Sequence, residues 1–185
     1  PKVESETGRP LSPYAVSKKT NELYASVFSE TYKMQIIGLR YFNVFGPNQS
    51  PDGPYAAVIP LFMQSALTGV SPNIDGDGGQ TRDFTYVENA VQANIRGFFT
   101  DHPDACGKVY NVALGDRVSV LELFNIIAEL TGSKVKPTHR DSRPGDIRDS
   151  LADITQARTY LQYDPQVRID EGLKITLDWF KKQIR

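Results

Sequence analysis

Two consecutive segments near the start restrict the fold more than any other feature. From Ser12 to Tyr32 apolar residues recur at helical spacing, and Gln35–Phe42 (QIIGLRYF) is a short apolar run, β-branched at its start. Ser12-Pro13 opens the first segment as N-cap and first helical residue, where proline's fixed φ and missing N–H do no harm. Val16, Thr20, Leu23, Tyr24, Val27 and Phe28 then form one stripe. The second segment is too short for a helix and predicts a buried strand. The alternation continues downstream. Ala56–Thr68 predicts a helix closed by Gly69, and SPNIDGDGGQTRDFTYV (residues 71–87) predicts two short strands around a glycine-rich turn. Glu88–Phe99 predicts a helix with Val91, Ile95, Phe98 and Phe99 on one side, and Lys108–Ala113 a strand. Ser119 and Glu122 form a capping box for a helix reaching about Leu130. A short helix is expected over Leu151–Leu161 and a last one over Asp170–Ile184. Helices alternating with strands make the class α/β, and so few strands imply an incomplete sheet.

The 185 residues suffice for one substantial domain or two small ones. A net charge of -1 removes any electrostatic reason to expect nucleic acid or an anionic membrane as partner. No apolar run is long enough to cross a bilayer, and nothing at the start reads as a secretory signal. Cys106 is the single cysteine, which fits a reducing cytoplasm. His102 and His139 lie far apart without cysteine company, so metal-ligand spacing is missing. The opening PKVESETGRP, without an initiator Met and without a clear helix or strand, reads as the interior of a longer chain.

Tyr14 and Lys18 lie one turn apart at the start of the first helix and share a face. A free tyrosine titrates near 10 and is a poor base at neutral pH. A neighbouring ammonium and the positive end of a helix dipole both favour the phenolate, which suits general acid–base work. The spacing is loose, however, and nine tyrosines and ten lysines among 185 residues give about 0.5 such spacings by chance. Taken alone, the pair equally fits an ordinary solvated or packing face.

Four motifs in order decide the matter: SPYAVSK (Ser12–Lys18), RYFNVFGP (Arg40–Pro47), GDGGQTRDFTYVEN (Gly76–Asn89) and RPGDIRDSLAD (Arg143–Asp153). With them the chain resembles, over essentially its whole length, the later part of an extended short-chain dehydrogenase/reductase of the nucleotide-sugar epimerase/dehydratase group. YAAVIP (Tyr55–Pro60) after NVFGPNQSPDG most resembles bacterial UDP-N-acetylhexosamine 4-epimerases. The resemblance implies the C-terminal part of a Rossmann-like NAD-binding fold (residues 1–55, with segments near 84–113) and a small α/β sugar-nucleotide-binding domain over most of 56–185. It implies NAD as cofactor, a UDP-sugar as substrate and a cytoplasmic homodimer when full length.

The resemblance also implies roles. Tyr14 would be the acid/base at the sugar 4-hydroxyl, and Lys18 would bond the nicotinamide ribose. Tyr41, Phe42 and Asn43 would border the nicotinamide, with Asn43 also facing the diphosphate. Arg82 and Arg143 would grip the diphosphate, as charge-assisted contacts to such an anion require. Asp146 would meet the ribose, Ala57 and Val58 the uridine end, and Gln49 the sugar. Ser150 would close over the sugar 2-substituent, where a small residue leaves space for an N-acetyl group. In isolation these arginines read as surface ion pairs (Arg82 with Asp83, Arg143 with Asp146), GDGGQTRDF as a tight hairpin turn, and Ser150 as a surface serine. The family's glycine-rich phosphate turn and its Ser/Thr upstream of the tyrosine do not occur in these residues; GDGGQ precedes a predicted strand, not a helix. Half a catalytic site is therefore expected, with weak NAD binding and no activity for the 185 residues alone. A 4,6-dehydratase or decarboxylase of the same group, or a non-catalytic sugar-nucleotide-binding module, remain the other readings.

Overall fold

The structure, a computed structural model, describes residues 1–52, 57–142 and 147–183. Helix α1 (Pro13–Tyr32) starts as its sequence dictates, with the Ser12 hydroxyl accepting from the Ala15 amide at 3.1 Å, and stops at Lys33 in the left-handed region. Its apolar stripe faces outward instead of into a core. None of its residues is buried, and Tyr24, Phe28 and Tyr32 cover one another along the helix. No second layer lies over that face among the described residues.

Strand β1 (Ile37–Tyr41) pairs in parallel with β6 (Lys108–Val112), Ile37 opposite Lys108 and Tyr41 opposite Val112. β1 is half-buried, not buried as its apolar run predicts, because it has a strand neighbour on one side only among the described residues. Further short pairs build the rest of the sheet structure. β2 (Val44–Phe45) runs parallel to β5 (Thr85–Tyr86), and β3 (Asn73–Asp75) parallel to β8 (Thr138–Arg140). β4 (Thr81–Arg82) runs antiparallel to β7 (Val118–Ser119).

The two strands flanking the glycine-rich turn, β3 and β4, are thus not a hairpin. The turn's polar backbone groups are satisfied elsewhere: the Gly76 amide bonds the Arg140 carbonyl (2.8 Å), and the Gly78 and Gln80 carbonyls accept the Leu121 and Val120 amides (2.9 and 3.0 Å). Gly78 has φ +75°, and a Cβ there would stand 2.9 Å from the Leu121 Cβ, so the turn abuts the next helix only with glycine.

Helix α2 (Val58–Thr68) ends on Gly69, whose amide bonds the Ser65 carbonyl. After α3 (Val87–Phe99) comes α4 (Val120–Thr131), whose Glu122 amide donates to the Ser119 hydroxyl at 3.1 Å. α5 (Thr155–Leu161) is shorter than predicted. Residues 151–153 are held extended because Lys2 bridges Ala152, with the Lys2 amide on the Leu151 carbonyl (2.7 Å) and the Asp153 amide on the Lys2 carbonyl (2.9 Å). The opening stretch, expected to lack strand character, supplies that bridge. α6 (Ile169–Gln183) closes the described chain.

Two apolar clusters hold these elements. One joins α2, α4 and α6 to Phe45, Phe84 and Tyr86; the other joins β6 and α5 to Ala90 and Ala93 of α3, with Ile37 and Leu39 of β1 against it.

Candidate active site

A cavity of about 860 Å³ opens where α2 faces β2, β3 and β4. Ile59, Phe62, Ile74 and Phe84 give it an apolar wall because they belong to the larger core. Of the residues singled out from the sequence, it gathers Asn43, Gln49, Ala57, Val58 and Arg82.

Local structure explains each position. Asn43 turns the chain from β1 to β2 at φ +27°, where asparagine is among the side chains that tolerate a positive φ. Its amide nitrogen donates to the Asp83 carbonyl at 3.1 Å, and its carbonyl accepts the Thr85 amide at 3.2 Å. Gln49 is anchored by its side-chain nitrogen on the Val44 carbonyl at 3.2 Å, while its side-chain oxygen is buried without a hydrogen-bond partner among the described residues. Ala57 is the N-cap of α2 and Val58 its first residue. Arg82 donates from Nη1 to the carbonyls of Thr81 (2.8 Å) and Ile147 (2.6 Å), which draws the 147–150 segment alongside β4.

Ser150 is buried at 7% exposure, so it is not a surface serine, and its segment is tied to β4 by the Thr81 amide on the Arg148 carbonyl at 2.8 Å. An Arg82–Asp83 surface pair is not what forms. Asp83 is 0% exposed and turns its carboxylate inward to the amides of Leu114 (3.0 Å), Gly115 (3.2 Å) and Ala152 (3.3 Å). Burial pushes its pKa up to about 6 against the opposing pull of those three N–H donors.

Tyr14 and Lys18 stand on the first turns of α1, Tyr14 at 70% exposure and the Lys18 ammonium 5.2 Å from the centre of its ring. They share a face but do not line the cavity. Tyr41 donates from its hydroxyl to Asn94 Oδ1 at 3.0 Å, and Phe42 is half-buried against the second core. Arg143 and Asp146 lie outside the described residues, as do Tyr55 and Ala56.

The structure adds residues that sequence reasoning missed. Gln80 and the ion pair of Asp75 with Arg140 stand on the cavity wall, Arg140 arriving through the β3–β8 register that places it opposite Asp75. Asp83 ties the cavity wall to Ser150's segment. Only the pairing of strands separated by more than sixty residues brings Arg140 there, and no local signal carries that. Among the described residues no helix is long and apolar enough to cross a membrane.

A family model described as GDP-mannose 4,6 dehydratase matches residues 1–176. The UDP-glucose 4-epimerase of Mycolicibacterium smegmatis is 34% identical over 183 residues, 99% of this chain and 57% of that protein. A UDP-N-acetyl-alpha-D-glucosaminuronate decarboxylase from Bacillus cytotoxicus is 34% identical over 91% of this chain and 53% of its own length. Among solved structures, the UDP-N-acetylglucosamine 4-epimerase of Methanobrevibacter ruminantium, in complex with UDP-N-acetylmuramic acid, superposes with a TM-score of 0.92 at 44% identity, over 99% of this chain and 58% of that one. UDP-glucuronic acid 4-epimerase from Bacillus cereus, in complex with UDP-glucuronic acid and NAD, superposes with a TM-score of 0.90 at 31% identity, over 98% and 56%. The chain spans a little over half the length of the relatives it matches. Matched by the family model along nearly all its residues, and sharing the Rossmann-like α/β fold of these enzymes over the part it spans, the chain belongs to the GDP-mannose 4,6-dehydratase family of NAD-dependent nucleotide-sugar epimerases and dehydratases.

Proposed function

We propose that this chain forms the nucleotide-sugar-binding part, and carries the acid/base tyrosine, of an NAD-dependent UDP-sugar 4-epimerase acting on UDP-N-acetylglucosamine and its 4-epimer. One observation carries the reading: a cavity large enough for a sugar nucleotide gathers Asn43, Gln49, Ala57, Val58 and Arg82, drawn from four separate stretches of sequence. Ser150, buried in the segment alongside β4 and not itself on the cavity lining, is the residue assigned to the sugar 2-substituent. In this reading residues 1–55 and the segments near 84–113 form the cofactor side and most of 56–185 the sugar side.

The exposed phenol and ammonium on one face of α1 match the hydroxyl-rich ribose at the nicotinamide end of NAD. Tyr14, Lys18 and the Tyr41–Asn43 turn are the residues assigned to hold it. When bound, NAD supplies the hydride acceptor and donor for C4. The Tyr14 oxygen takes the proton of the sugar 4-hydroxyl and later returns it, and Lys18 orients the phenol. Arg82, joined by Arg143, fixes the diphosphate, so that the 4-keto hexose can turn about an anchored end and present either face of C4. The outward stripe of α1 is assigned to the contact between two copies of the full-length protein.

The encoded protein, supplied with NAD and UDP-N-acetylglucosamine, is expected to form the 4-epimer, resolved by chromatography. Turnover of UDP-glucose alone would remove the N-acetyl assignment. Release of carbon dioxide from a UDP-uronic acid would favour a decarboxylase, the activity named for the Bacillus cytotoxicus relative. Ser150→Tyr should lower turnover of the N-acetylated substrate at least tenfold while sparing UDP-glucose, because the added ring fills the 2-substituent's space. Equal loss on both sugars would argue against a gating serine.

A further inference from the structure

Asp83 is a fully buried carboxylate that the proposed chemistry does not use. It is the residue after Arg82, and the groups it bonds come from three separate stretches of chain: Asn43, the 114–115 turn and Ala152. Its carboxylate takes the Leu114 amide on Oδ1 (3.0 Å), and the Gly115 and Ala152 amides on Oδ2 (3.2 and 3.3 Å). Its own carbonyl accepts the Asn43 side chain at 3.1 Å. One side chain thus links the strand bearing Arg82, the 113–115 turn and the segment bearing Ser150, while its backbone fixes Asn43.

Among the described residues no cation pairs with this buried ion, which makes it a costly way to join three loops. Neutral hydrogen-bonding groups could cross-link loops without a net charge. A carboxylate is acceptor-only, however, and can hold several amides converging from different loops at once, each bond being charge-assisted. The other titratable groups on the elements packed around it do not neutralise it. Asp116 shares the charge sign and raises its pKa, Asp153 caps the Thr155 amide, and Tyr163 spends its hydroxyl on the Ala113 carbonyl at 2.9 Å.

We propose that Asp83 is the positioning residue of the substrate cleft: its carboxylate clamps the Ser150 segment and the 113–115 turn to the strand that carries Arg82. The clamp sets the distance between the diphosphate grip and the sugar pocket. That consequence rests on the nucleotide-sugar reading; the clamp itself does not.

Asp83→Asn keeps the shape and removes the charge. Amide hydrogen exchange, followed on the full-length protein, should accelerate at least tenfold over residues 147–152 and at 114–115, while α2 and α4 keep their protection. The affinity for UDP-N-acetylglucosamine, measured by calorimetry, should fall at least tenfold. Ile127→Val, a modest core change remote from the clamp, should alter neither readout. Unchanged exchange at 147–152 would overturn the clamp, and loosened exchange with undiminished affinity would overturn its role in the cleft. Should the wild-type chain not bind the sugar nucleotide while exchange still loosens, the substrate reading fails and the clamp stands. If Asp83→Asn does not fold, the wild-type amide resonances of Leu114, Gly115 and Ala152 decide. A clamp requires them to shift together with one midpoint as Asp83 titrates, and three independent titrations would refute it.

Discussion

At neutral pH Asp83 carries its charge away from bulk solvent, and the sign of its effect on stability is unusual for a carboxylate. Burial raises its pKa from the ordinary 3.8 to about 6. Between those values the unfolded chain has released the proton while the native chain still holds it. The contribution of this group to stability therefore falls as pH rises through the window, by roughly 3 kcal/mol in all. Asp77 behaves in the opposite way. The hydrogen bonds from Arg148, 2.8 and 3.0 Å, hold its pKa down at about 2, so its stabilisation is present above 3.8 and is lost as acid is added through that lower value. Urea denaturation between pH 4 and 7 should show the Asp83 decline in the wild type and lose most of it in Asp83→Asn; an identical slope in both would mean that another group titrates. Neither behaviour was legible in the sequence. TRDF suggests a neighbouring Arg–Asp pair, whereas the acid turns inward because the amides of residues distant in sequence await it.

Elements were legible where their signals are local. Ser12-Pro13 and Ser119 capped helices as expected, and Gly69 ended α2, since each signal acts within one turn. Strand pairing was not, because β3 finds β8 and β4 finds β7 across long stretches of chain, and the glycine turn between β3 and β4 imitates a hairpin. Helix α6 shows how packing overrules propensity. A Cβ on Gly172 would meet Tyr86 at 2.8 Å and Phe45 at 2.9 Å, two buried rings already set edge to face. Gly172→Ala would favour the isolated helix by about 1 kcal/mol but force those rings apart at a cost of about 1–3 kcal/mol. Thermal melting should therefore show a less stable variant; a more stable one would mean that α6 can shift away from the ring pair.

For the whole molecule, two separate cores and an outward-facing α1 describe a chain whose interior is shared unequally between two jobs. The larger core builds the cavity wall, and the smaller carries the β1–β6 pair beside α1. Two of the four motifs contribute Asn43 and Arg82 to the cavity lining, and the stretch between them contributes Gln49, Ala57 and Val58, but the distance in space between Tyr14 and the cavity depends on how α1 sits, which no motif encodes. The chain accounts for a little over half the length of these relatives, and the cavity lies wholly within it. Calorimetric titration of the full-length protein with UDP-N-acetylglucosamine tests the assignment of this cavity most directly. Saturable binding is expected, weakened at least tenfold by Arg82→Ala, since a charge-assisted contact to the diphosphate contributes about 1.5–3 kcal/mol. No binding, or an affinity indifferent to Arg82→Ala, would contradict the assignment of this cavity to a nucleotide sugar.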